Sequence, residues 1–260
     1  MPLNYATYLR IDELLDLQVP RSDPPEHDEY LFIVIHQTYE LWFKLLLIEF
    51  EKVGADFSAN RPYDALHTLR RCRNILKTLV GQMDVLETMT PMSFTSFRDR
   101  LEDASGFQSL QFREMEFLLG YKRPEMLKYA PAQGPALERV QRRLAEPSLV
   151  DRFYDFLGLQ GAAVPTALRA KDVAEPTRAD PALQDELLRL HKTRPDLVLL
   201  FEALTDIDEG IQEWRYRHVK LVERTIGNKG GTGGSLGVEF LKRSLFKPLF
   251  PDLWAIRHRL

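Results

Sequence analysis

From Asp28 to Phe57 the chain holds a continuous helical spacing of apolar residues that leaves few directions polar. At ~1.5 Å per residue such a helix is roughly 45 Å long. A helix apolar on most sides cannot lie on a surface, so it has to run through the core with other elements packed around it. Its most apolar run, Leu31 to Phe50, is broken by His36, Gln37, Glu40, Lys44 and Glu49, which reads as too polar for a membrane span.

The rest of the chain supplies neighbours of the same kind. Helical periodicity predicts a short amphipathic helix from Tyr5 to Gln18, closed by Pro20, and a second long helix from Tyr63 to Met89. Thr90 is a good cap for the helix that follows, with Pro91 at its first position, over about Met92 to Leu101. Another helix is expected from Phe107 to Leu119, and a long one from Pro195 to Ile226. A glycine-rich segment, Gly227 to Gly237, then leads into a last helix from Val238. Residues 122–181 are less regular, with short helices such as Pro135–Ala145 and Leu149–Leu157, and read as a peripheral insertion in one domain spanning 1–260. Clean alternation is hard to find, so the expected fold class is all-α: a helical bundle of long antiparallel helices.

Charge and cysteine content narrow the partners. A net charge of -3, with acids and bases interleaved, argues against nucleic acid and reads as solvated helix faces. Cys72 is the only cysteine, so no internal disulfide can form and a reducing, cytoplasmic setting is the expectation. One cysteine also rules out a thiolate metal cage. None of the six histidines follows a glutamate by three positions, which excludes the helical di-iron pattern.

Three side chains stand out for chemistry. His36 shares a face of the most apolar helix with Phe32, four residues earlier, and needs a partner for each ring nitrogen. His218 lies between Trp214 and Val222 at one-turn spacing, an arrangement that suits one axial bond to heme iron but is more often that of an ordinary buried histidine. Arg98 follows Phe94 by one turn and can clamp a carboxylate in bidentate fashion or pair with Asp99 or Glu102. The segment Gly233–Gly237 formally matches a serine-hydrolase elbow, but a helix precedes it where that elbow needs a strand.

Taken in order, the stretches YLRIDELLDLQ, HDEYLFIVIHQTYELWFK, LETMTPMSFTSFRDRLEDASGFQSLQFREMEF and WRYRHVKLVERTIGNKGGTGGSLG closely resemble the tryptophan 2,3-dioxygenase family. The resemblance covers nearly the whole chain and is weakest at 122–181. It implies an all-α fold that encloses a b-type heme, a homotetramer built as a dimer of dimers, and oxidative cleavage of L-tryptophan by O2. It further implies that His218 is the axial iron ligand and that His36 hydrogen-bonds the indole N–H. Arg98 falls on the residue that grips the substrate carboxylate, and Thr232 on one that meets the ammonium end and a heme propionate. Phe32 would line the indole pocket, and Ser105 and Gly106 would pack over the distal heme face. Tyr5, Tyr8 and Leu9 match a segment that reaches into a neighbouring subunit's pocket. Two positions depart from the usual pattern: Phe94 stands where some relatives have tyrosine, and Leu236 replaces a common serine.

The competing readings are a heme oxygenase of the same superfamily that adds one oxygen to an indole or tyrosine, and a non-catalytic helical interaction protein. Arg98, Thr232 and the intact GTGG favour an amino-acid substrate over the first. A colourless purified protein would favour the second.

Overall fold

The computed structural model describes residues 3–102, 104, 106–130, 133–227, 229–230 and 237–260; Ser105, Thr232 and Leu236 lie outside them. Among the described residues thirteen α-helices and four short 3-10 helices account for the regular structure, with no strand. The expected all-α class is what the chain adopts.

The helices run in order: α1 Tyr5–Leu9, α2 Ile11–Leu15, α3 His27–Ser58, α4 Pro62–Leu86, α5 Pro91–Arg98, α6 Leu110–Leu118, α7 Pro135–Ala145, α8 Leu149–Leu159, α9 Thr166–Arg169, α10 Pro181–Thr193, α11 Pro195–Ile226, α12 Val238–Lys242 and α13 Pro251–Ala255. Two of them, α3 and α11, have 32 residues each. Between them lies α4, which packs along both. On α3, Leu46, Phe50, Val53 and Phe57 are all completely buried at positions that follow one helical stripe. By length and composition alone α3 contains a window apolar enough to cross a bilayer, with a mean hydropathy of 1.4. The polar interruptions seen in the sequence therefore do not exclude a span by themselves. Protein covers one side of α3, namely α4, α6 and α8, while Tyr30, Val34, Leu41 and Ile48 stay exposed on another.

Several helix boundaries come from local chemistry visible in the sequence. Thr90 accepts a hydrogen bond from the Ser93 amide at 3.1 Å, with Pro91 opening α5. Ser148 and Asp151 form a reciprocal capping box at the start of α8. The N-terminal helix, expected as one piece, is two: Arg10 takes a left-handed conformation with φ 52° between α1 and α2. Neither half buries a residue, and without packing a helix this short is marginal, so nothing holds the stretch straight.

Candidate active site

The aromatic ends of α3, α5, α6 and α11 enclose a cavity with about 240 Å³ available to the centres of water molecules. A single water needs about 10–15 Å³ by the same measure, so a large ligand has room. The next cavity, beneath Tyr154 and Phe250, offers only about 10 Å³. His36, Phe32, Arg98, Gly106 and His218 all line the large one, although they come from four separate parts of the chain.

His36 is held in one tautomer. Its Nδ1 lies 2.7 Å from the carbonyl of Phe32, one turn earlier on α3. A carbonyl only accepts, so Nδ1 carries the hydrogen and Nε2 keeps its lone pair. A side-chain carbon added at Gly106 would sit 3.7 Å from Nε2, so the glycine keeps that edge of the imidazole open. The Phe32 ring lies 4.1 Å from the His36 ring, centroid to centroid, and packs in turn on Phe94 and Phe97. Burial holds the His36 imidazole below its ordinary range, against smaller upward pulls from the Phe32 carbonyl and Glu40.

His218 is positioned from the other long helix. Its ring stacks on Trp214, with 5.0 Å between centroids and 12° between planes, as the four-residue spacing on α11 requires. Neither ring nitrogen has a hydrogen-bond partner among the described residues. Desolvation, and then the nearby His36, push it down from 6.5 to about 4, so the imidazole is neutral at pH 7 with a lone pair to donate. A linkage effect follows. Between pH 6.5 and 4 the unfolded chain takes up a proton that folded His218 refuses, so the heme-free protein loses stability as pH falls through that window. Urea titrations should show a larger loss between pH 7 and 5 in wild type than in His218→Phe. Equal losses in the two proteins would contradict the buried neutral ring.

Arg98 closes α5, and its Nη2 donates to the carbonyl of Gly230 at 2.8 Å, across 132 positions of sequence. This bond ties the C-terminal end of α5 to Gly230 in the glycine-rich segment. Neither acid expected as its local partner, Asp99 or Glu102, pairs with it. Tyr5, Tyr8 and Leu9 are not part of the cavity of their own chain; α1 leaves them 77%, 70% and 43% exposed. Cys72 is fully buried on α4, and burial pushes its thiol up to about 12, which leaves it without thiolate chemistry.

A family model described as tryptophan 2,3-dioxygenase matches residues 1–155 and 182–260. The chain belongs to the tryptophan 2,3-dioxygenase family. It is 56% identical to the tryptophan 2,3-dioxygenase of Herpetosiphon aurantiacus over 98% of this chain and 97% of that one. It is 50% identical to the enzyme of that name from Anaeromyxobacter sp. (strain K), over 99% and 96%. It is 42% identical to that of Bordetella pertussis, over 98% and 90%. The stretch that the family model passes over, 156–181, falls where the family resemblance is weakest.

Sequence reasoning overlooked one group of cavity residues. Arg113, Glu116, Arg123 and Arg215 also line it, and Glu116 is 3% exposed. Their alternating charges read as a solvated helix face, and the observed burial corrects that reading. The available signal was an acid and two bases, Arg113, Glu116 and Arg123, bracketing the apolar run from Phe117 to Leu119.

Proposed function

We propose that this chain is a heme-dependent dioxygenase that cleaves the indole C2–C3 bond of L-tryptophan with O2 to give N-formyl-L-kynurenine. The observation that carries the proposal is His218: a neutral imidazole without a hydrogen-bond partner on the wall of a large, mainly apolar cavity that it shares with His36. An ordinary buried histidine would be bonded on at least one nitrogen.

The residues present fit a b-type heme. The cavity is lined mainly by apolar side chains, one ring nitrogen of His218 would hold the iron, and arginines on one wall could meet acidic substituents. Held by His218, heme supplies the redox-active iron at which O2 is activated. The other roles belong to the chain. Nε2 of His36 accepts a hydrogen bond from the indole N–H, which orients the ring; imidazole is too weak a base to remove that proton outright. Phe32 packs against the indole, and Arg98 turns from the Gly230 carbonyl to the substrate carboxylate. Gly106 leaves room beside Nε2 of His36, and the family resemblance is what assigns Thr232 to the ammonium end and Ser105 to the heme pocket. Phe32 and Phe94, backed by Phe97, keep water from the reacting carbon atoms.

We read the whole chain as one domain acting within a homotetramer in the cytoplasm. An unpartnered apolar stripe on α3, formed by Tyr30, Val34, Leu41 and Ile48, supports association. The exposed aromatic residues of α1 support the reading that Tyr5, Tyr8 and Leu9 complete a neighbouring subunit's site.

The test is turnover of L-tryptophan in labelled O2. The reaction breaks the O–O and C2–C3 bonds and forms two carbonyl groups, so both labelled atoms are expected in the product. One labelled atom would identify a mono-oxygenase instead. In the same assay His36→Ala should keep its heme and lose less than ~100-fold in kcat, the scale of a positioning defect. Complete loss with unchanged tryptophan binding would reassign His36 to an essential proton transfer.

A further inference from the structure

The segment that leads into α3 is clasped by that helix at two points. Glu29, in the first turn of α3, is 1% exposed. Its carboxylate accepts from the amides of Arg21 at 2.7 Å and Ser22 at 3.0 Å, and from the Ser22 hydroxyl. Two turns on, the Gln37 side chain donates to the carbonyl of Leu17 at 3.0 Å and accepts from the Gln18 side chain. Residues 17–22 therefore run antiparallel to the start of α3. Glu29 and His36 are seven positions apart, so the clasp begins on the side of the helix that carries His36.

Packing does not hold this segment. Leu14, Leu15, Leu17 and Val19 are exposed, and α1 and α2 bury no residue. Among the described residues, the hydrogen bonds of residues 3–16 reach no further than Gln18. The direction in which α1 and α2 leave the body thus rests on the polar clasp. One bonded point would leave a pivot; two, about 12 Å apart along the helix, fix a direction. A cap for α3 would account for less. From this position a carboxylate ordinarily turns back to the amide of the capping residue, here Glu26. The Ser22 hydroxyl accepts from that amide instead, at 2.7 Å, and leaves both Glu29 oxygens to the incoming segment. Burial alone would raise the Glu29 carboxyl; the bonds from Arg21 and Ser22 and the charge of Arg100 outweigh it and hold the group below the ordinary carboxylate range.

We propose that Glu29 is a positioning residue that acts on a neighbouring copy: with Gln37 it aims the arm of α1 and α2, so that Tyr5, Tyr8 and Leu9 meet the tryptophan pocket of a second subunit. The proposal rests on the reading of that arm given above and adds what orients it. An arm already aimed gives up little further freedom when it docks, so the gain falls on substrate affinity and not on the chemical step.

Glu29→Gln tests this, because its amide turns a donor toward donors and opens the clasp while keeping the size of the side chain. The variant should keep its heme and its far-UV circular dichroism, with KM for L-tryptophan raised about fivefold and kcat within about twofold of wild type. A wild-type KM, a loss confined to kcat, or loss of heme overturns the proposal. Mixed oligomers then show whose pocket is affected. A tagged chain with an intact site is co-expressed with a large excess of His218→Ala chains, which turn over no substrate, and is purified by its tag. With Glu29→Gln on the excess chain KM should rise; with Glu29→Gln on the tagged chain KM should stay at the wild-type value. The reverse pattern, or an equal rise in both, overturns the proposal. Tyr8→Ala on the excess chain tests the arm itself. A wild-type KM there overturns the arm reading as well, whereas an effect from Tyr8→Ala and none from Glu29→Gln overturns the clasp alone.

Discussion

His218→Ala is expected to give a folded, colourless protein with no Soret band and no measurable turnover of L-tryptophan. The ring has no hydrogen bond to lose and already borders open space, so its removal takes away little beyond the stacking on Trp214. Such ring pairs contribute about 0.5–1.5 kcal/mol, a small part of a domain's stability. Far-UV circular dichroism should therefore match wild type while the cofactor is lost. A second measurement separates ligation from shape. Free imidazole added to His218→Gly occupies the vacated space and should restore the Soret band in part. A His218→Ala protein that purified with a full complement of heme and wild-type activity would remove the axial assignment, and the functional reading with it.

The long elements were legible because burial leaves a periodic trace. For α3, α4 and α11 the expected limits fall within about three residues of the observed ones, since each carries a sustained apolar stripe and a clear start or stop. The helix α10 went unrecognised because several prolines surround it, yet Asp180 before Pro181 was a readable start: its carboxylate accepts from the Ala182 and Leu183 amides. His36, Phe32, Arg98 and His218 each looked ambiguous alone, and only the order of the motifs joined them before the fold did. The arginine wall could not be seen the same way. Arg215 meets Glu116 across 99 positions, and nothing local distinguishes Arg113 and Glu116 at one-turn spacing from an exposed ion pair. Spacing along one helix reports which side chains share a face; it does not report what covers that face.

The same limit hid Asp208, where a large loss of stability is expected. This carboxylate is completely buried on α11, more than two turns before His218. Its Oδ2 accepts from the amides of Leu249 and Phe250 at 2.8 and 2.9 Å and from the Trp254 indole at 3.0 Å, fixing the C-terminal segment and α13 against the bundle. Gln212 donates to Oδ1 at 3.1 Å. Burial pushes the carboxyl upward, and the four hydrogen bonds only partly offset it, so the site values the acceptor geometry more than the charge. Asp208→Ala leaves three donors facing an apolar core; at about 1–3 kcal/mol for each, with some rehydration, the loss should reach roughly 3–5 kcal/mol. Asp208→Asn keeps one amide oxygen in place and should cost markedly less, because it deletes the charge but not the acceptor. Urea midpoints would order the proteins wild type, Asn, Ala, and limited proteolysis should release the segment after Lys247 first in the alanine variant. If the two variants proved equally unstable, the charge itself would be what holds the C-terminal segment, and the upward shift of Asp208 would need another cause.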